Sequence, residues 1–167
     1  MIVVVMGVSG AGKTAVAGEL AKLLGAGFLE GDDFHPPTNI VKMRSAIPLD
    51  DEDRRPWLRK LAGAMEAWAA GGRDVVVACS ALKYSYRQLL KGDHDDFRLI
   101  YLKGSRDMIA KRLEQRDGHF MPPGLLESQF AELEEPIEAS EEVITVSIEQ
   151  APAAMAAEIQ RRLDRRE

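Results

Sequence analysis

The residues best suited to chemistry in this chain form a glycine-rich run at positions 7–14, GVSGAGKT, which ends in a lysine and a threonine. Glycines at this spacing let successive backbone N–H groups turn toward one anion, because no Cβ stands in the way. The apolar run at 2–6 predicts a buried strand before the glycines, and the spacing of Val16, Leu20 and Leu24 predicts a helix after them. A strand, a loop of this pattern and a helix in succession are typical of a phosphate-binding P-loop.

This loop predicts a site for ATP and Mg²⁺. The helix that begins near Gly12 adds about half a positive charge at its N-terminus, where the phosphates would lie. Lys13 is expected to bridge the β- and γ-phosphate oxygens during transfer, and the Thr14 hydroxyl to bind Mg²⁺. A glycine-rich turn without a ligand is the alternative. The residues predicted to hold the nucleotide are Gly7, Val8, Ser9, Gly10, Ala11, Gly12, Lys13, Thr14, Arg112 and Arg116.

Two acidic residues follow the second predicted strand, at 27–30. Ligands of parallel α/β sheets bind at the carboxyl ends of the strands, so Asp32 and Asp33 are expected to face the P-loop. Asp32 is the predicted catalytic carboxylate, which would position or deprotonate an acceptor hydroxyl, while Asp33 could equally cap a turn. His35 precedes Pro36 and is therefore unsuited to a helix start. Its ring is expected either to point into the cleft or to be a hydrogen-bonded structural group.

The third predicted strand, at 74–78, ends in Cys79 and Ser80, where many P-loop proteins carry an aspartate for Mg²⁺. The magnesium shell must then be completed by Thr14, phosphate oxygens and water, with Asp32 or Ser80 as a further ligand. Such a shell suits Mg²⁺, which usually keeps several waters in proteins.

Basic residues outside the P-loop are candidates for binding an anionic substrate. Arg54 or Arg55 could bind a carboxylate through the two-pronged guanidinium. The acidic run at 50–53 just before them is expected to favour the start of the next helix. Lys83 is placed to reach back toward the substrate, although exposure to solvent is the default for a lysine.

A second pair of arginines predicts a lid. Arg112 and Arg116 lie four residues apart on one predicted helix, just before a segment rich in glycine and proline at 117–124. A lid over about 112–130 would bring these arginines onto the transferred phosphoryl group and exclude water, which is a competing acceptor. A solvated helix face is the alternative interpretation.

The elements that must position these residues alternate between short apolar runs and amphipathic helical patterns. Strands without polar alternation indicate burial on both faces, and helical crossovers indicate parallel pairing. We therefore predict an α/β three-layer sandwich of the P-loop type, with about five parallel strands and helices on both faces, in a single domain. Strands are predicted at 2–6, 27–30, 74–78, 98–102 and 143–147, and helices at 12–24, 38–46, 54–70, 82–91, 105–115, 124–133 and 151–165.

Composition excludes several classes of function. The 167 residues carry a net charge of −5, which is unsuited to nucleic-acid binding through a basic face. The single cysteine, Cys79, is consistent with a reducing compartment. No apolar run approaches the ~20 residues that cross a bilayer, and a core strand begins at once, so we expect a cytoplasmic protein that acts on small molecules without contacting a membrane.

Taken together, the motifs resemble those of bacterial gluconokinases of the small P-loop type, relatives of shikimate and adenylate kinases. The resemblance spans nearly the whole chain, and the later motifs are more specific than the P-loop. They are MGVSGAGKT at 6–14, GDDFHPPTN at 31–39, PLDDEDRRPWL at 48–58, CSALK at 79–83, LIYLKG at 99–104 and GHFMP at 118–122.

The resemblance implies ATP-dependent phosphorylation of the C6 hydroxyl of D-gluconate, in a protein that forms a homodimer. In that picture Asp32 acts on the hydroxyl, and the gluconate carboxylate and hydroxyls are bound by His35, Arg54 and Lys83. Arg112 and Arg116 close on the phosphates.

Two other functions compete with this one. A shikimate- or nucleotide-directed kinase would use the same fold, but shikimate kinases carry a glycine-rich loop where CSALK stands at 79–83. A GTP-dependent switch would require an Asn-Lys-x-Asp motif and a strand ending in Asp-x-x-Gly, and neither is found in the sequence.

Overall fold

A computed structural model describes residues 1–115 and 123–165, and its centre is a sheet of five strands. All of the pairings are parallel, in the order β2-β3-β1-β4-β5, which confirms the predicted α/β class. The strands are β1 (Ile2–Met6), β2 (Gly27–Glu30), β3 (Val75–Ala78), β4 (Phe97–Lys103) and β5 (Val143–Ser147).

Helices connect the strands and cover both faces of the sheet. They are α1 (Lys13–Leu24), α2 (Pro37–Arg44), α3 (Asp51–Ala70), α4 (Tyr84–Lys91), α5 (Arg106–Glu114), α6 (Pro123–Glu132), α7 (Glu138–Glu141) and α8 (Pro152–Asp164). Sequence analysis missed α7 and a 3₁₀ turn at Gly31–Phe34. Both are four-residue elements, too short to produce a helical repeat of apolar residues.

Helix α3 begins three residues earlier than predicted, because its acidic run supplies the cap. The Asp50 side chain accepts a hydrogen bond from the Asp53 N–H, and the Asp53 side chain accepts one from the Asp50 N–H. This capping box satisfies two backbone donors that the helix itself leaves free. Pro56 consequently lies inside the helix.

The predicted three layers are present as two cores separated by the sheet. Successive residues of β1 point to opposite faces and every one is buried. Val3 and Val5 pack in the core beneath α1, α5 and α8, whereas Ile2 and Val4 pack in the core beneath α3 and α4. In the described ranges, no helix combines the length and the hydrophobicity needed for a bilayer crossing.

The sheet order brings the loops after β1, β2 and β3 to one edge. The N–H of Gly7 donates to the Ser80 carbonyl oxygen at 3.3 Å, so the loop after β3 contacts the P-loop. At Gly31 a Cβ atom would lie 2.4 Å from the Ala78 carbonyl oxygen, so only glycine allows the chain after β2 to approach β3 so closely. The fold therefore gathers the predicted site residues at one end of the sheet.

Candidate active site

The P-loop is held in a conformation that depends on its glycines. Gly10 and Gly12 have φ angles of +82° and +93°, in the left-handed region that residues with a Cβ rarely adopt. Gly12 is also the N-cap of α1, whose N-terminus therefore begins at Lys13. The Lys13 ammonium group donates to the Val8 carbonyl oxygen at 3.1 Å, so its side chain folds back across the loop.

Helix α6 contacts this loop through Gln129. The Gln129 Oε1 accepts a hydrogen bond of 2.7 Å from the Ser9 N–H, one of the backbone groups predicted to surround phosphate. Sequence analysis did not assign Gln129 a function. The two residues are 120 positions apart, and no local pattern links them.

Arg112 lies beside the P-loop. Its Nη1 atom is 3.8 Å from the point that a Cβ on Gly12 would occupy, and its Nη2 donates to the Ile148 carbonyl oxygen. Arg112 therefore connects the P-loop to the segment after β5. Arg116, its predicted partner, lies outside the described residues, as does most of the Gly/Pro segment of the predicted lid.

Thr14 is linked to the acidic loop after β2 through Glu30, a residue to which sequence analysis gave no role. The Thr14 hydroxyl donates to Glu30 Oε2 at 2.7 Å, and Glu30 Oε1 accepts from the Asp32 N–H at 3.4 Å. Its position at the carboxyl end of β2 was the one available signal. Residues 1–115 and 123–165 hold no cluster of three acidic, histidine or cysteine side chains suited to a metal. The hydroxyl and carboxylate oxygens here match the ligand preference of Mg²⁺, with most of its shell left to phosphate and water.

Of the two aspartates after β2, Asp32 is the one that faces another candidate residue. Its Oδ1 lies 3.8 Å from His35 Nε2, while Asp33 is exposed on the same 3₁₀ turn. The His35 ring is only 4% exposed and stacks on Trp57 with a centroid distance of 4.0 Å. Burial lowers the pKa of His35, and the Arg54 charge lowers it further against the opposing effect of Asp32. His35 is therefore neutral near pH 7 and packed against Trp57.

Arg54 is largely buried and is paired with helix α6. Its Nη1 is 2.7 Å from Glu132 Oε2 and 3.3 Å from the Tyr86 hydroxyl oxygen. Arg55, the alternative candidate, is exposed and lines a separate depression with Asp51. Of the two arginines, Arg54 is thus the one that the fold places near His35.

Lys83 meets Arg54 at the same tyrosine. Both cations lie 5.5 Å from the Tyr86 ring centre, within the range of a cation–π contact. The Lys83 ammonium group is 2.7 Å from Asp51 Oδ1, which also accepts a hydrogen bond from the Tyr86 hydroxyl. Hydrogen bonds from Lys83 and Tyr86 lower the pKa of Asp51, which holds it as a carboxylate. The result is a basic surface whose charges are partly compensated.

Cys79, at the end of β3, is inert in this arrangement. Complete burial raises the pKa of its thiol to about 12, so it remains protonated at neutral pH. The charges of Asp32, Lys13 and Glu30 also act on this thiol, because the loops after β1 and β2 converge on it.

A buried ion pair supports the loop at 79–83 from behind. Arg87 and Glu141 are 2% and 5% exposed, and two contacts of 2.5 and 2.9 Å join them. The remaining guanidinium nitrogen donates to the carbonyl oxygens of Ala81 and Leu82. Arg87 thereby fixes the backbone that leads into Lys83.

Comparison with known proteins identifies the family of this chain. The family described as "AAA domain" matches residues 3–122. The chain is 47% identical over 149 residues to the thermoresistant gluconokinase of Escherichia coli K12, covering 89% of this chain and 85% of that protein. The gluconokinase of Gluconobacter oxydans is 47% identical over 156 residues, with 93% and 87% covered. The chain belongs to the gluconokinase family.

Solved structures confirm the fold of this gluconokinase family member. A crystal structure of a gluconokinase from Sinorhizobium meliloti superposes with a TM-score of 0.88 at 41% identity, covering 98% of this chain and 91% of that one. Shikimate kinase from Aquifex aeolicus superposes with a TM-score of 0.61 at 15% identity, a likeness of fold alone. The predicted resemblance to small P-loop gluconokinases is thus confirmed, and the competing shikimate kinase is similar only in architecture.

Proposed function

We propose that this protein transfers the γ-phosphoryl group of ATP to the C6 hydroxyl of D-gluconate, giving 6-phosphogluconate and ADP. The observation that carries the proposal is the convergence of Arg54 and Lys83 on Tyr86, at the same end of the sheet as the P-loop. Two cations beside a phosphate-binding loop suit an acceptor that is itself an anion, such as a sugar acid. Membership of the gluconokinase family supports the same substrate.

On the nucleotide side, residues 7–14 and Arg112 bind the phosphates of ATP. Lys13 leaves the Val8 carbonyl and contacts the β- and γ-phosphate oxygens, where its charge stabilises the transition state. Thr14 is the protein ligand of Mg²⁺, and Glu30 holds the Thr14 hydroxyl in place. When bound, Mg²⁺ neutralises phosphate charge. Asp32 remains a candidate to bind one of its waters.

On the acceptor side, Asp32 accepts a hydrogen bond from the gluconate C6 hydroxyl and takes its proton as the oxygen attacks phosphorus. Arg54 and Lys83 bind the carboxylate at the other end of the acid. When Arg54 binds the substrate, the substrate carboxylate takes the place of the Glu132 carboxylate. His35 lines the wall between Asp32 and Arg54.

The lid, the homodimer and the cytoplasmic location belong to this proposal. The lid over about 112–130 includes most of α6 and would carry Arg116 onto the phosphates. A homodimer is an implication of the family resemblance, and light scattering coupled to size exclusion tests it directly. A mass near 37 kDa, twice 18.4 kDa, supports the dimer and a mass of 18.4 kDa contradicts it.

The decisive experiment measures ADP release with MgATP and one acceptor at a time: D-gluconate, shikimate, a nucleoside monophosphate or none. We expect turnover with gluconate alone, and its loss in Lys13→Ala, which removes charge at the phosphates. Turnover with another acceptor would retain the P-loop assignment and overturn the substrate. ADP release that does not depend on any acceptor would contradict a kinase.

A further inference from the structure

Asn39, on helix α2, is a buried polar residue with a fixed orientation. The residue is only 1% exposed, and its side-chain amide nitrogen donates to the Asp53 carbonyl oxygen at 2.9 Å. A carbonyl oxygen can only accept, so the amide must present its nitrogen, rather than its oxygen, on this side. The same nitrogen lies 3.2 Å from His35 Nδ1. Its second hydrogen therefore points at the imidazole.

This contact decides which nitrogen of His35 carries the proton. Because the Asn39 nitrogen is a donor, His35 Nδ1 must accept, and the neutral ring then carries its hydrogen on Nε2. The ring plane is fixed by stacking on Trp57, whose indole N–H donates to the Gly31 carbonyl oxygen at 2.7 Å. The ring orientation and the tautomer are thus both fixed, and the Nε2–H group points in one direction.

The acidic group nearest to that N–H is Asp32. The distance from Nε2 to Oδ1 is 3.8 Å, about 0.6 Å beyond the long end of an ordinary N–H···O hydrogen bond. The Asp32 side chain is 76% exposed, and within the described part of the chain its carboxylate has no hydrogen bond. Left alone, an exposed carboxylate samples several rotamers, and fixing one of them costs conformational entropy.

We propose that Asn39 and His35 are positioning residues for Asp32. The Nε2–H of His35 holds one oxygen of the Asp32 carboxylate, so that the other oxygen faces the acceptor hydroxyl. Asn39 acts through His35 by enforcing the tautomer that can donate. The inference rests on the proposed role of Asp32 in phosphoryl transfer, but the tautomer itself does not.

The anchor of this chain of contacts lies next to the substrate side of the site. Asp53 supplies the carbonyl that orients Asn39, and the next residue is Arg54. The capping box fixes the same turn, and Lys42 of α2 pairs with the Asp53 carboxylate at 2.7 Å. One turn of α3 therefore positions both Arg54 and, through Asn39 and His35, Asp32.

The first test reads the tautomer without relying on activity. In ¹⁵N NMR of the whole protein near pH 7, the signals that disappear in His35→Gln belong to His35. We expect them to show a protonated Nε2 and a bare Nδ1. In Asn39→Asp, which is close in shape but offers only oxygen, the proton should be drawn to Nδ1. A wild-type His35 protonated on Nδ1 would overturn the inference.

The second test separates positioning from packing by steady-state kinetics. His35→Phe keeps a ring that can stack on Trp57 but has no donor, whereas His35→Gln loses the ring and keeps an N–H. We expect His35→Phe to lower kcat about tenfold, the equivalent of one hydrogen bond, with little change in the KM for ATP. His35→Gln should retain more kcat than His35→Phe. A purely structural histidine predicts the reverse order.

The outcomes also distinguish this inference from the proposed function. If Asp32→Asn keeps full turnover with gluconate, the role proposed for Asp32 fails. If Asp32→Asn is inactive while His35→Phe and Asn39→Asp, shown to be folded by circular dichroism, keep wild-type kcat, Asp32 acts without their help and the inference alone fails.

Discussion

Two arginine–glutamate pairs in this molecule use the same chemical groups for opposite purposes. Arg87–Glu141 is 2% and 5% exposed, with two short contacts and further bonds to backbone carbonyls. Arg54–Glu132 is 12% and 24% exposed and has a single contact of 2.7 Å. Among the described residues, Glu132 Oε2 is a buried oxygen whose geometry satisfies no hydrogen bond, despite its closeness to Arg54. The Arg87–Glu141 pair is therefore complete, meaning that its buried polar atoms are hydrogen-bonded, whereas the Arg54–Glu132 pair is only partly satisfied.

The difference indicates which pair can open. A buried pair with every donor and acceptor satisfied has much to lose on separation, since each charge would remain in a poorly polar setting. Separating Arg54 from Glu132 costs little free energy, because a substrate carboxylate supplies the same charge. Gln129, three residues before Glu132 on α6, likewise occupies a P-loop N–H. Helix α6 therefore covers both halves of the proposed site with oxygens that ligands would replace.

The largest effect is expected from breaking the complete pair. Glu141→Ala should lower the free energy of unfolding by about 3–5 kcal/mol, because it leaves the Arg87 guanidinium buried without its counter-charge. Urea unfolding followed by circular dichroism measures this loss. The double variant Arg87→Met with Glu141→Leu should recover much of it, since no buried charge remains. A loss below about 1 kcal/mol in Glu141→Ala would remove the distinction between the pairs.

Arg54→Lys should affect catalysis while leaving the fold intact. Lysine keeps the charge but loses the planar fork, so kcat/KM for gluconate should fall roughly 30-fold. This corresponds to a loss of about 2 kcal/mol of transition-state stabilisation. The KM for ATP should remain unchanged. Arg55→Lys, one position along and exposed, is the matched control and should behave as wild type in steady-state assays. Equal losses for gluconate and ATP would show that Arg54 does not serve the acceptor side.

The smallest effect is expected at Glu132. Glu132→Gln removes the negative charge that competes for Arg54, so gluconate should bind a few-fold more tightly in calorimetry without ATP. Unfolding free energy should change by less than about 1 kcal/mol, because the pair is partly exposed. Glu127→Gln, on the same helix and paired with Arg106 at the surface, is the control. Weaker gluconate binding in Glu132→Gln would mean that Glu132 supports Arg54 in the bound state. The Arg54–Glu132 pair would then not be one that opens for the substrate.

The elements that sequence analysis located well are those with a strong local signal. The five strands were predicted within about two residues of their observed ends. In β1, β3 and β4 the signal is a short apolar run that is largely buried on both faces. The start of α3 was missed by three residues, since the acids at 50–53 were expected to precede the helix and favour its start, whereas Asp50 is the N-cap and Asp53 completes a capping box within the first turn. The short turn that carries Asp32 had no periodic signal.

The candidate site likewise contains residues that a local sequence pattern could identify and residues that it could not. Residues 7–14 could be recognised because glycine spacing, lysine and threonine act within one loop. Glu30, Gln129 and Glu132 could not, since their importance comes from contacts with Thr14, Ser9 and Arg54 across the fold. His35 was selected as a candidate from the His-Pro pair, but that pair did not predict its packing on Trp57 or its contact with Asn39.

The sequence by itself determined the P-loop, the parallel sheet and the set of basic and acidic candidates, because backbone conformation and burial pattern follow from residue types a few positions apart. The tertiary structure alone decided which charges meet. Arg54 faces Glu132 and Arg87 faces Glu141 because the fold packs together segments that are far apart in the sequence. Hydrogen bonds form only at close contact, and charge–charge interactions weaken with distance and are screened by salt, so the role of each charged residue depends on neighbours that its own segment does not specify.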